Sequence, residues 1–174
     1  QPNPDSMVVA TSTPDGQPER YSAAAVTGNM LRLLRTAPLL GRDLNDDDSK
    51  PGASPVALIG YTVWQERFKG APDVVGQSLR INGTVTTVVG VMPAGFDDLV
   101  ASRLYGDAAL WVPLGYDPAA SFACRTCRHL VVVGRLADGV PQAAAEAELS
   151  GIYRAMAAEH PSDDRHPGAH VQTL

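Results

Sequence analysis

The sequence has no long apolar run. Over 174 residues the longest, Ala108–Val112, is five residues, whereas a bilayer-spanning helix needs about 20. It also has no basic excess: 14 Lys and Arg stand against 19 Asp and Glu, a formal net charge of −5. That excludes a general nucleic-acid binder, which needs a basic footprint to displace counterions, and a polybasic membrane-surface protein. Aromatic residues make up only 6%, so Trp64, Phe68, Phe96 and Trp111 are assigned to packing and not to a base-stacking platform. The start of the sequence shows neither an initiator Met nor the pattern expected of a signal peptide. The chain opens Gln1-Pro2-Asn3-Pro4 and is read as an excised piece of a longer protein. What is present is ordinary: 44% apolar and 19% charged residues, enough to bury a core in one domain or two small ones.

Cysteine is equally scarce. Cys124 and Cys127 are the two in the chain, spaced C-x-x-C. A structural zinc site needs four ligands, and His129 would raise the count only to three. A thioredoxin-like redox pair belongs at a helix N-terminus after a strand, where the dipole lowers the thiol pKa. Here the pair precedes a strand-like run. The favoured reading is a short loop with free thiols or a local disulfide, which constrains little of the unfolded chain.

The local patterns mix strands and helices. Met7–Thr11, the turn chemistry of Pro14-Asp15-Gly16, and Tyr21–Val26 predict a hairpin. Met30–Leu34 predicts a short helix ending before Pro38. The acidic, Gly- and Pro-punctuated stretch Asn45–Gly52 predicts a surface loop. Val56–Ile59 predicts a buried strand, followed by a helix with Trp64 and Phe68 on one face. Thr62 and Gln65 have capping-box spacing. Val75–Ile81 and Thr84–Val91 flank Asn82-Gly83, the preferred two-residue hairpin turn, because both central residues need φ > 0. Residues 97–107 and 117–128 are read as loops. Leu110–Leu114 predicts a strand at an edge or with a proline-marked end. His129–Leu136 predicts another strand. Residues 141–160 predict an amphipathic helix with Ala145, Leu149, Ile152 and Met156 in one stripe, and Val171–Leu174 a short strand. Trp64, Phe68, Val89, Trp111, Leu149 and Ile152 are the expected core. This order of elements predicts an α+β fold and not regular βαβ winding.

No constellation carries chemistry. Asp46-Asp47-Asp48, with Asp43, lacks the alternation and central glycine of a calcium loop. Among the histidines, 129, 160, 166 and 170, the pair His166/His170 has i, i+4 spacing, but Pro167-Gly168 prevents a shared helical face. The zinc-protease pattern, the phosphate-binding loop, the dinucleotide fingerprint and the serine elbow are all absent. The sequence therefore predicts no catalytic residues, no cofactor-binding residues, no metal ligands and no cofactor.

Three segments together carry a resemblance. Val26–Leu31 runs to Pro38-Leu39-Leu40-Gly41-Arg42. Pro55–Phe68 continues through Val74-Val75-Gly76-Gln77-Ser78-Leu79-Arg80-Ile81-Asn82-Gly83 to Val88-Val89-Gly90-Val91-Met92-Pro93-Ala94-Gly95-Phe96. Val133-Gly134-Arg135-Leu136-Ala137-Asp138-Gly139-Val140 precedes an Ala/Glu-rich helix. Across residues 20–160 this resembles the MacB-like periplasmic core domain of ABC-transporter permeases, with the flavour of the duplicated permeases of Acidobacteria. The chain departs from the family pattern where Met30 or Leu31 stands in place of an aromatic, and in its Cys124/Cys127 pair.

The resemblance implies a porter-like α+β subdomain formed by both chain ends, 1–52 and 119–174. A smaller inserted Sabre-like α+β subdomain would occupy 53–118. The 141–160 helix would pack on the 129–136 strand. It further implies a non-catalytic, extracytoplasmic (periplasmic) domain of an inner-membrane permease, coupling membrane-helix motion to periplasmic export or extraction work. The implied partners are the permease's own transmembrane helices, a cytoplasmic ATPase subunit or domain, a periplasmic adaptor protein and a second copy of the permease, with no nucleic acid. The alternative from a different class is a periplasmic binding or scaffold module that recruits a partner without a mechanical role.

Overall fold

A computed structural model describes residues 7–12, 18–96, 108–116, 130–161 and 169–172. The chain forms two compact units, Gln1–Tyr116 and Asp117–Leu174. The first is built on a seven-stranded mixed sheet. Strands β1 (Met7–Ser12) and β2 (Pro18–Val26) pair antiparallel in the register Met7↔Ala23 to Ser12↔Pro18. The two strands predicted for the hairpin are therefore paired, while its predicted turn, Pro14-Asp15-Gly16, lies outside the described residues. Helix α1 (Met30–Leu34) follows, then the two-residue strand β3 (Leu40–Gly41), a 3-10 turn over Asp46–Ser49, strand β4 (Val56–Ile59) and helix α2 (Tyr61–Phe68). Strands β5 (Ser78–Ile81), β6 (Thr84–Val91) and β7 (Ala108–Pro113) follow among the described residues.

The sheet runs β1-β2-β7-β4-β6, with β6 flanked on its far edge by two short strands. β5 pairs with residues 84–87 of β6 and β3 with residues 90–91. β4 lies parallel to β6 on the other edge. Asn82 and Gly83 adopt φ of 47° and 85° at the tip of the β5–β6 hairpin, the left-handed pair that this two-residue turn requires.

Alternation explains the core. In a strand, neighbouring side chains point to opposite faces. Val56 and Leu58 of β4, Val89 of β6 and Trp111 of β7 join one buried cluster; Ala57, Ile59, Val88, Val91 and Leu110 join the other, Val88 and Val91 falling together because the β4–β6 register shifts between Ala57 and Leu58 and leaves one extra residue in β6. α1 covers the first face through Leu31, and α2 covers the second through Val63, with Trp64 and Phe68 packed at its margin. Strands covered on both faces read as continuous apolar runs, which is why Val56-Ala57-Leu58-Ile59 is buried at every position. Phe96 meets Trp111 edge-on at 5.3 Å, the geometry favoured by the aromatic quadrupole. The Trp64 indole N–H donates to the Ala71 carbonyl at 2.8 Å, so the half-buried ring satisfies its one polar group.

Several sequence expectations are corrected. β7 is not an edge strand, because it lies between β2 and β4; its proline does mark its end, at Pro113. Thr62 and Gln65 form no capping box. Gly60 is the N-cap of α2 and Thr62 lies inside the helix, since the chain enters the helix directly from β4. The loop after residue 74 reaches Ser78 before the β5 ladder begins. Residues 97–107, 117–128 and His129 lie outside the described residues.

In the second unit, residues 130–137 form no strand. Leu130 and Val131 are about half exposed and Val132 is 91% exposed. Helix α3 (Gln142–Glu159) occupies the predicted span. Its stripe is not core: Leu149, Ile152 and Met156 are 43%, 50% and 47% exposed. Val171 and Gln172 are likewise not in a strand, and residues 173–174 lie outside the described residues. An amphipathic pattern marks a face that can be buried, and a strand exists only where a neighbour completes its ladder.

Candidate functional site

The residues with the best claim to chemistry, Asp43 and Asp46–Asp48, are held in a fold-supporting turn. The Asn45 side chain accepts from the backbone N–H groups of Asp47 and Asp48 at 2.9 and 3.2 Å. The Asp48 carboxylate accepts in return from the Asn45 N–H at 2.9 Å. This is a capping box on a 3-10 turn. Arg42 then grips the same carboxylate with both terminal nitrogens, at 2.7 and 2.8 Å, the bidentate fork–fork geometry. The Arg42 hydrogen bond holds the Asp48 carboxyl below the usual carboxylate range. Burial pushes the Asp43 carboxyl up. Lys50 pairs with Asp47 at the exposed end of the turn. Both Asp48 oxygens are thus committed to protein donors, and the turn is a brace.

That brace is held close to the sheet. Gly28 sits so near the Asn45 backbone that a Cβ at residue 28 would collide with it. The Arg42 N–H donates to Val89 O of β6 at 2.9 Å. The 45–52 stretch is therefore the surface loop expected, anchored at its start to the sheet.

Beside it, where β3 and β5 divide the edge of β6, an open groove of about 290 Å³ is lined by Gly41, Arg42, Val75, Gly76, Thr87, Val88 and Val89. Its backbone groups are paired: Gly76 N–H to Val88 O at 2.8 Å, and Val88 N–H to Gln77 O at 2.8 Å. Its one charged group, Arg42, is engaged by Asp48. A ligand site needs convergent polar groups in a concave pocket, and this groove supplies none.

The remaining candidates do not assemble. His160 caps the end of α3 through its backbone N–H, which donates to Met156 O. His170 lies 3.2 Å from Glu146. Cys124, Cys127, His129 and His166 lie outside the described residues. Among the described residues, no three His, Cys, Asp or Glu side chains are grouped to hold a metal ion, and no helix is long and apolar enough to cross a membrane.

Sequence reasoning missed one long-range polar contact. Arg67 of α2 donates from Nε to the Tyr21 hydroxyl at 2.9 Å, with its guanidinium 5.3 Å from the Tyr21 ring centroid. It ties α2 to the N-terminal hairpin. The partners are 46 residues apart, so local spacing carries no signal of it.

The model of one family, described as the MacB-like periplasmic core domain, matches residues 3–152. The periplasmic region of MacB from Actinobacillus actinomycetemcomitans is similar in structure, with a TM-score of 0.54 at 14% identity. The match covers 82% of this chain and 60% of that one. A domain described as part of a permease protein from Porphyromonas gingivalis is similar with a TM-score of 0.54 at 17% identity, covering 97% of this chain and 76% of that one. At these identities the structures speak for the fold. The chain spans 60% of the length of the MacB periplasmic region. No curated protein matches it.

Proposed function

The chain belongs to the MacB-like periplasmic core domain family, and from that premise we propose that it couples the motion of its permease's membrane helices to export or extraction work in the periplasm. It is a periplasmic domain of an ABC-transporter permease. The observation that carries the proposal is the family match across residues 3–152. The architecture supports it physically. A mixed sheet covered on both faces is stiff, because close-packed interiors transmit strain and do not absorb it. The acidic turn that could have been a reactive site is spent on bracing that sheet.

In this reading a cytoplasmic ATPase subunit or domain supplies the energy and the transmembrane helices carry it. This domain performs no bond chemistry, and it docks a periplasmic adaptor or works beside a second permease copy. Of the division 1–52, 53–118 and 119–174, the boundary between the second and third parts is kept in the proposal. That boundary is supported by the unit boundary at Tyr116/Asp117. The first boundary is crossed by hydrogen bonds of the shared sheet, so 1–52 and 53–118 would move together.

The test replaces the whole domain in the parent permease with a flexible linker and follows ATP hydrolysis and substrate efflux separately. Coupling predicts that hydrolysis persists while efflux is lost. Efflux at the parental rate would contradict it.

A further inference from the structure

The chain has four asparagines, Asn3, Asn29, Asn45 and Asn82, and glycine follows Asn82 alone. An asparagine loses its amide when the backbone nitrogen of the next residue attacks the side-chain carbon. Its fate therefore depends on whether that nitrogen has a proton to give up, what stands beside it and what holds the side chain. Asn3 precedes Pro4, whose nitrogen carries no proton. At Asn29 the side-chain oxygen accepts from the Thr27 hydroxyl at 2.7 Å, and the Met30 N–H is donated to Thr27 O at 3.1 Å. At Asn45 the side-chain oxygen caps the acidic turn, accepting from the Asp47 and Asp48 N–H groups. None of these guards stands at Asn82. It and Gly83 are exposed at the tip of the β5–β6 hairpin. The ladder ends at the pair Ile81↔Thr84, which leaves the Gly83 N–H outside it. No heavy atom lies within 4 Å of where a Gly83 side chain would begin. Among the described residues, the side-chain bond at the tip runs from Arg80 Nη1 to Gly83 O at 2.9 Å and leaves the Asn82 amide unheld.

We propose that Asn82 is a site of spontaneous deamidation, and that its two products act oppositely on the hairpin. The Gly83 nitrogen gives up its proton and bonds to Asn82 Cγ. The Cγ–Nδ2 bond breaks, ammonia leaves with that proton, and a succinimide ring closes. Water then opens the ring. Addition at Cγ breaks the new bond and gives aspartate, whereas addition at the main-chain carbonyl carbon breaks the original peptide bond and gives isoaspartate. The exchange is hydrolytic, with nothing oxidised or reduced. Glycine favours ring closure because no Cβ crowds the attacking nitrogen and its backbone turns freely. The turn must open for the ring to form, and a tip whose two residues bury no side chain opens without unfolding the sheet. Aspartate suits the left-handed position, φ 47° at residue 82 before φ 85° at Gly83, as well as asparagine does. Isoaspartate adds a carbon to the main chain between residues 82 and 83. The tight turn then no longer fits the Ile81↔Thr84 pair, where Ile81 is buried.

The test incubates the full 174-residue chain at mildly alkaline pH and maps its peptides by mass spectrometry, with fragmentation that separates aspartate from isoaspartate. The amide should be lost first at Asn82, as both products, with Asn29 and Asn45 intact. Asn82→Asp supplies the authentic aspartyl chain. Its Ile81 and Thr84 amides should stay as protected from hydrogen exchange as in the parent, whereas the isolated isoaspartyl form should lose that protection. Loss at Asn29 or Asn45 ahead of Asn82 would overturn the site. So would an Asn82 left intact after a synthetic peptide of residues 78–87 has converted fully. Equal protection of Ile81 and Thr84 in the two products would overturn their opposite action on the turn.

Discussion

Asp48 concentrates four hydrogen bonds in one short acidic run: it accepts twice from Arg42 and once from Asn45, and its own N–H is capped by Asn45. Because its carboxyl is held below the usual range by Arg42, the linkage has a definite sign. The contribution is fully present above the unfolded carboxylate pKa and is lost as pH falls through the lower folded value. Arg42 is about half exposed, so solvent screens the ion-pair part, and the cap dominates. Asp48→Ala, which removes the three hydrogen bonds its carboxylate accepts, should therefore cost about 1–2 kcal/mol at neutral pH, measured by urea unfolding. Asp48→Asn should flatten the acid limb of the stability curve below about pH 5. The sequence offered Asp46–Asp48 only as a charged loop. The Asn45–Asp48 cap was present in it as a local spacing, whereas the Arg42 fork depends on β3 holding residue 42 against Val89.

At the scale of elements, legibility followed the range of the deciding interaction. The β5–β6 hairpin was readable because Asn82-Gly83 sets its own backbone. The strand at Val56–Ile59 was readable because burial on both faces leaves an uninterrupted apolar run. Residues 130–136 carry the same apolar signature, yet a ladder is made by a neighbour, and none pairs with them among the described residues. The α3 helix was readable from its period, but the period identified a stripe and not its burial. Buried and exposed apolar positions should therefore respond very differently. Leu58→Ala, at a fully buried position, should lower stability by about 2–5 kcal/mol. Leu149→Ala and Ile152→Ala should each stay within about 0.5 kcal/mol of the parent. Chemical denaturation of the purified chain measures both, and a loss at Leu149 comparable to that at Leu58 would show that the stripe is covered.

For the whole molecule, the α+β class and the family followed from the order of elements and from the segment around Trp64–Phe96. How residues 53–118 join the rest could not be read, because β7 lies between β2 and β4 and its partners there are more than 50 residues away in sequence. Because the shared sheet hydrogen-bonds strands on both sides of residue 52, the hinge of the domain is proposed near residue 117, where the two units divide. The most direct measurement is made on the full-length permease with its ATPase, carrying a reducible cross-link engineered between residues before Tyr116 and residues after Asp117. Efflux should stop while ATP hydrolysis continues, and a reductant should restore it. Efflux that proceeds undiminished with the cross-link closed would mean that the domain recruits a partner as a static scaffold and transmits no motion.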